Sequence, residues 1–257
     1  MNVALSTSIK NRVSEEEWNA RCELAAAYRI AHQMKWTDLI FTHFTSRIPN
    51  TDHFLINPYG ILFDEITASN LVTIDHDCNI IQDITGLGVN RAGFVIHGCI
   101  HEARPEMNAV LHTHTRAGVA VSSMKCGLLP LSQHASRTYQ MLSYHDYEGI
   151  ALDLAERDRL SQSLGKNSRA LILRNHGLLT IGKSIAEAFE LMYYLDTACQ
   201  IQVDSLSAGQ DQLIQLSEHT TKKVFDQYET PEGHEAAVLA WTALKRRLDN
   251  LEIDYKI

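Results

Sequence analysis

Three histidines have types and spacing suited to capturing one metal ion. His112 and His114 form an H-x-H pair at the end of Ala109-Val110-Leu111-His112-Thr113-His114, and His176 lies in Asn175-His176-Gly177. Neutral imidazole is the commonest metal-binding side chain, and a catalytic zinc site needs three protein ligands with a position left for water or substrate. Spacing alone is weak support, because 13 histidines in 257 residues give roughly two-thirds of an H-x-H by chance. Context strengthens it. Ala109–His114 reads as a strand, whose two-residue period turns His112 and His114 to one face and Thr113 away. His176 falls at a bend between the extended runs 170–173 and 178–181, where Gly177 permits the turn.

His97 and His101, spaced i and i+4, share a helix face and form a rival pair, read as structural support. His145, His53, His76, His219 and His234 read as solvated and receive no role.

The elements around the trio follow from local signals. Ser14 with Glu17 is a capping box that opens a helix to about Gln33, and Ser184 with Glu187 is a second, for a long helix ending near Gly209. Phe54-Leu55-Ile56 is a strand closed by the turn Asn57-Pro58-Tyr59-Gly60. The runs 71–74 and 79–81 form a hairpin about residues 75–78. Arg91 to Ala103 is helical until Pro105 stops it. Thr230 before Pro231 starts a last helix carrying Leu239, Trp241 and Leu244. Residues 1–13 are patternless and read as a loose tail, and nothing between 14 and 257 resembles a domain linker, so one domain spans 1–257.

Composition narrows the function classes. A formal charge of −8 and a pI near 5.9 argue against a phosphate-backbone binder, which concentrates Lys and Arg into a basic stripe. Nucleic acid is not an expected partner. Five scattered cysteines without a C-x-x-C pair read as reduced, mostly buried thiols. No apolar run is long enough to cross a bilayer and no secretory signal opens the chain, so a cytoplasmic location is expected, with no membrane partner.

An ordered series of motifs then adds a resemblance. Phe54-Leu55-Ile56-Asn57-Pro58-Tyr59-Gly60, Glu65-Ile66-Thr67-Ala68-Ser69, Asn90-Arg91-Ala92-Gly93-Phe94, Ala103-Arg104-Pro105, His112-Thr113-His114 and Leu173-Arg174-Asn175-His176-Gly177-Leu178 make the chain similar to the class II aldolase/adducin family. Met124 to Pro130 and Tyr144-His145-Asp146-Tyr147 extend the match, which runs from about Leu24 to Leu206. The resemblance implies an α/β fold of three layers, α/β/α, with a central, largely antiparallel mixed sheet. It also implies a homotetramer with sites near subunit interfaces, and one divalent metal per chain on His112, His114 and His176. Zinc is the first expectation, with manganese or iron as alternatives.

Departures from the family's aldolases matter as much. Their acid/base glutamate corresponds to Gly93, their phosphate-holding serines to Arg91 and Ala92, and a phosphate-loop threonine to Tyr59, which argues against a phosphosugar substrate. A catalytic tyrosine falls near Gln133-His134, making His134 the candidate acid/base replacement. Asn57, Gly60 and Arg91 are the candidate substrate-binding residues. The expected function is a metal-dependent lyase that carries out aldol cleavage or decarboxylation through a metal-stabilised enediolate, on a small hydroxy-carbonyl or carboxylate substrate. The alternative is a non-catalytic, adducin-head-like oligomeric scaffold that keeps a structural metal.

Overall fold

The strand-forming runs pair into one eight-stranded sheet. The computed structural model describes residues 8–149 and 154–257. The strands are β1 (His43–Arg47), β2 (Phe54–Ile56), β3 (Val72–Ile74), β4 (Ile80–Gln82), β5 (Ala109–Thr113), β6 (Leu142–His145), β7 (Ala170–Leu173) and β8 (Gly177–Gly182). They lie in the order β4-β3-β2-β1-β5-β8-β7-β6. Every neighbouring pair is antiparallel except β6 with β7. The central β5 and β8 are buried along their whole length, so helices must cover both sides.

They do so in two layers. The helices are α1 (Glu15–Gln33), α2 (Arg91–Ala103), α3 (Arg116–Ser122), α4 (Gln133–Tyr139), α5 (Leu154–Leu164), α6 (Ile185–Ser205), α7 (Glu218–Tyr228) and α8 (Pro231–Asn250). On one face Ile96 and Ile100 of α2, with Leu160 and Leu164 of α5, pack with Val110, Leu171 and Leu179. On the other, Leu24 of α1 with Phe189 and Met192 of α6 pack with Phe44, Leu111 and Leu178. Full burial of each such side chain contributes about 1.5–3 kcal/mol, so both layers hold β5 and β8 in place. This is the expected three-layer α/β/α fold with a largely antiparallel sheet.

The capping signals work as read. The Ser14, Ser184 and Thr230 hydroxyls accept the backbone N–H of Glu17, Glu187 and Gly233 at 3.1, 3.2 and 3.2 Å. Each such cap is worth about 1 kcal/mol. Among the described residues no helix is long and apolar enough to cross a membrane. Cys78, Cys99 and Cys199 are buried and Cys126 is exposed.

Some expectations need correction. Residues 8–13, read as part of a loose tail, are anchored: Ile9 is fully buried with Trp18 and Ala68, and its N–H donates to Ser69 Oγ at 3.1 Å. Residues 1–7 lie outside the described residues. Of the residues assigned to the last helix's apolar side, Leu239 is 63% exposed, while Trp241 is buried. His145 is buried too, not solvated, with its Nδ1 3.0 Å from Ser163 Oγ. The bend at His176 comes from Asn175, whose φ of 56° is left-handed, and Gly177 serves a different purpose described below.

Candidate metal centre

The fold brings His112, His114 and His176 together at the end of β5 and the β7–β8 turn. β5 pairs Thr113 with Leu178 and β7 pairs Leu173 with Gly177, which sets the turn carrying His176 beside the end of β5. His114 Nε2 lies 2.9 Å from both His112 Nε2 and His176 Nε2, and one ligand nitrogen from each residue falls within 4.8 Å of the others. Just beyond the pair, Thr115 caps α3 and donates to Asp196 Oδ1 at 2.5 Å, which fastens the strand end to α6. Thr113, on the opposite side, meets Met192 of that helix.

Hydrogen bonds on the outer nitrogens decide what the inner ones can do. His112 Nδ1 donates to Leu178 O at 2.9 Å, and His114 Nδ1 donates to Asp38 Oδ2 at 2.9 Å. A carbonyl and a carboxylate can only accept, so each Nδ1 carries the ring proton. Both Nε2 atoms therefore present lone pairs across 2.9 Å, an arrangement that calls for a cation between them. Burial, followed by the neighbouring imidazoles, pushes His112 well below the usual histidine range, and burial pushes His176 down to about 4. The donor set, imidazole nitrogens with their lone pairs turned inward, fits a divalent metal of the kind imidazole suits.

Gly177 is the close-approach residue of the site. A Cβ there would meet Thr113 O at 2.4 Å, His114 Cδ2 at 3.1 Å and His112 Cε1 at 3.4 Å. Only hydrogen lets the turn come this near the end of β5.

Asp38 was not legible as a site residue, since it sits in an unpatterned segment between α1 and β1. Its loop is held by residues with left-handed backbone at Lys35, Leu39 and Thr42. The carboxylate fixes the tautomer of His114, a role in which such partners typically contribute about 10–100-fold to metal affinity. Asp38→Ala should thus weaken metal binding by about that factor while leaving the melting temperature of the metal-free protein within about 2 °C. Competition titration against a metal-sensing dye reads the first, and calorimetry the second.

The model described as Class II Aldolase and Adducin N-terminal domain matches residues 22–203. The chain belongs to the class II aldolase/adducin family. A solved aldolase II superfamily protein from Pseudomonas syringae superposes with a TM-score of 0.92 at 50% identity, over 98% of this chain and 100% of that one. An L-fuculose 1-phosphate aldolase from Glaciozyma antarctica PI12 gives a TM-score of 0.81 at 27% identity, over 98% of each chain. Alpha-adducin of Rattus norvegicus is 43% identical over 243 residues, which are 90% of this chain but 33% of alpha-adducin.

Against this class II aldolase/adducin background, position 93 is informative. A Cβ on Gly93 would lie 2.4 Å from His43 Cε1 and 2.7 Å from its Nδ1. The imidazole of His43, on β1 directly opposite His112, thus fills the space a side chain at 93 would enter. Its Nε2 donates to Gly93 O at 2.8 Å. Behind it, His97 and His101 are fully buried and share the hydroxyl of Thr45, at 2.8 Å from each, so this pair supports the sheet as expected. Burial pushes His43 down to about 4, with the bond to Gly93 O opposing and His114 and His176 adding to the fall.

These low values give a pH dependence. An unfolded histidine takes up its proton near pH 6.5, whereas folded His43 and His176 do so only near 4. The unfolded state therefore binds more protons in that window. Stability of the metal-free protein should be full above about pH 6.5 and fall as pH drops towards 4, by about 1.4 kcal/mol per pH unit for a fully buried group such as His43. Urea midpoints from pH 7 to 4 measure it, and a flat profile contradicts it.

The remaining predicted site residues are Asn57, Gly60, Arg91 and His134. Asn57 is 5% exposed, and its Oδ1 is 2.8 Å from the Tyr28 hydroxyl. Its Oδ1 is therefore engaged in the interior, while its Nδ2 makes only a 3.5 Å contact with Pro58 O. Gly60 has a φ of 98° in an open turn, and Arg91 is the exposed first residue of α2. The ring neighbours of His134 are Tyr194 and Tyr193, at 5.5 and 6.5 Å, and no member of the trio is among them.

Proposed function

We propose that this protein is a metal-dependent lyase acting on a small hydroxy-carbonyl or carboxylate substrate, with His112, His114 and His176 holding one divalent ion, zinc first. The observation that carries this reading is the pair of facing Nε2 lone pairs, fixed by Leu178 O and Asp38. A divalent ion there supplies Lewis acidity, withdrawing charge from substrate oxygens as a carbon–carbon bond breaks or a proton leaves.

The protein's own groups prepare that step. Leu178 O and Asp38 hold both ring protons outward, which keeps the ligand nitrogens bare. His112 is buried, while the His114 side chain is 22% exposed, so substrate approaches from the side of His114 and His176. Gly93 carries no acid or base, and an acid/base role for His134 would require it to reach the trio of another copy in a homotetramer. The reading includes that assembly, as the family resemblance implies, and a cytoplasmic location.

A second reading, a scaffold with a structural metal, draws on the 43% identity to alpha-adducin and on the filled space at Gly93. Acetohydroxamate, which chelates as an enediolate does, separates the two. A lyase site with an open position should give a melting-temperature rise of several degrees in the metal-loaded form and none in the metal-free form. No rise in either form, across a panel of hydroxy acids as well, would favour the scaffold.

A further inference from the structure

Helix α8 presents an exposed apolar face beside an apolar groove. The groove, of about 460 Å³, is lined by Ala236, Ala240 and Ala243 of α8 and by Tyr193 and Tyr194 of α6, with the buried rings of Phe189 and Trp241 among its lining. Leu239, the 63% exposed leucine of the same helix, lies within one turn of those alanines. At 3.6 residues per turn, Glu232, Ala236, Leu239, Ala240, Ala243 and Arg247 fall within about 100° of arc, and all six are exposed. They form one continuous face, apolar in the middle and charged at both ends.

The end charges are opposite in sign and unspent. Among the described residues, Lys245 and Asp249 of α8 pair with Glu23 and Lys256, whereas neither Glu232 nor Arg247 reaches an opposite charge within ion-pair distance. Glu235 and Arg246, also exposed, repeat the division, acidic near the start of the helix and basic near its end. A face with that order complements itself when turned end for end, because an antiparallel copy sets acid against base at both ends. A parallel copy would set like charges together.

We propose that α8 pairs antiparallel with α8 of a second copy of this chain, about a two-fold axis passing between Leu239 and Ala240. Glu232 then meets the partner's Arg247, Ala236 the partner's Ala243, and Leu239 the partner's Ala240, every pair occurring twice. Alanines at the contact let the two helix axes approach to about 8–10 Å. Each Leu239 side chain enters the groove beside the partner's Ala240 and gains the cover it lacks in one copy. A single exposed leucine is ordinary; its place beside an apolar groove and between matched charges is what selects a second copy. The contact supplies a defined interface for the homo-oligomer proposed above and does not depend on the metal centre.

Sedimentation velocity on the full-length protein tests it with charge reversals. The wild type should associate at about 10 μM, and Glu232→Arg and Arg247→Glu should each weaken the contact by about tenfold or more, because each reversal sets like charges together at both ends. The loss reads as a shift towards monomer, or as a halved assembly where other surfaces hold subunits together. The double variant Glu232→Arg/Arg247→Glu should return to within about threefold of wild type. Both reversals oppose the dipole of α8, so that rescue cannot come from a more stable helix. Leu239→Asp, at an exposed position, should break the contact as strongly while circular dichroism stays that of wild type. A monomeric wild type would overturn the pairing and leave the groove to another occupant. An assembly that survives both single reversals and Leu239→Asp, or a double variant no better than the singles, would overturn this contact alone, with the homo-oligomer formed through other surfaces. None of these results bears on the trio, whose test is ion content.

Discussion

The wild-type protein should purify with about one divalent ion per chain, and His112→Ala and His176→Ala should each retain less than about a tenth of it. The reason is geometric. With three nitrogens converging and two of their tautomers fixed from outside, removing one leaves two ligands, too few to hold a divalent ion against buffer. His112 is 2% exposed and lies between His43 and His114, so its loss also opens a small cavity and lowers stability by about 1–3 kcal/mol. His176, at a partly exposed turn, can be lost with less structural cost. Elemental analysis gives the ion content, and circular dichroism checks that both variants fold. Equal metal content in the three proteins would remove the site.

The second large effect is expected from Gly177→Ala. The added methyl would sit 2.4 Å from Thr113 O, and that atom is backbone, in a strand buried on both faces, so neither partner can move without breaking the β5–β8 ladder. Overpacking of this kind costs roughly 1–3 kcal/mol, towards the upper end where backbone must shift. Because the same methyl approaches the rings of His112 and His114, metal affinity should fall together with stability, by at least about tenfold. Denaturant melts with and without metal separate the two losses. A variant that keeps wild-type stability and metal content would show that the turn has room the structure does not reveal.

Much of the architecture was legible locally. Helix α1, helix α2 and the strand with the H-x-H pair carry their signals in sequence: a serine cap three residues before a glutamate, a proline after Ala103, and an apolar run with alternating histidines. What escaped was β1, because His43-Phe44-Thr45-Ser46-Arg47 reads as polar. It nevertheless runs through the middle of the sheet, where Thr45 satisfies His97 and His101 and Tyr28 satisfies Phe44. Buried polar strands are stable only when partners from other elements complete their hydrogen bonds, and such partners cannot be read from the strand itself. The same cause hid Asp38, which gains its role only by meeting a histidine 76 residues away.

The sequence alone determined the imidazole character of the candidate trio, the sharing of one face by His112 and His114, and the family, since strand periodicity and motif order are properties of the chain. Tertiary structure decided that His176 closes the trio, that Asp38 and Leu178 turn the ring protons outward, and that His43 occupies the space over Gly93. Those outcomes depend on the β5–β8 register and on contacts between elements distant in sequence, which no local pattern encodes.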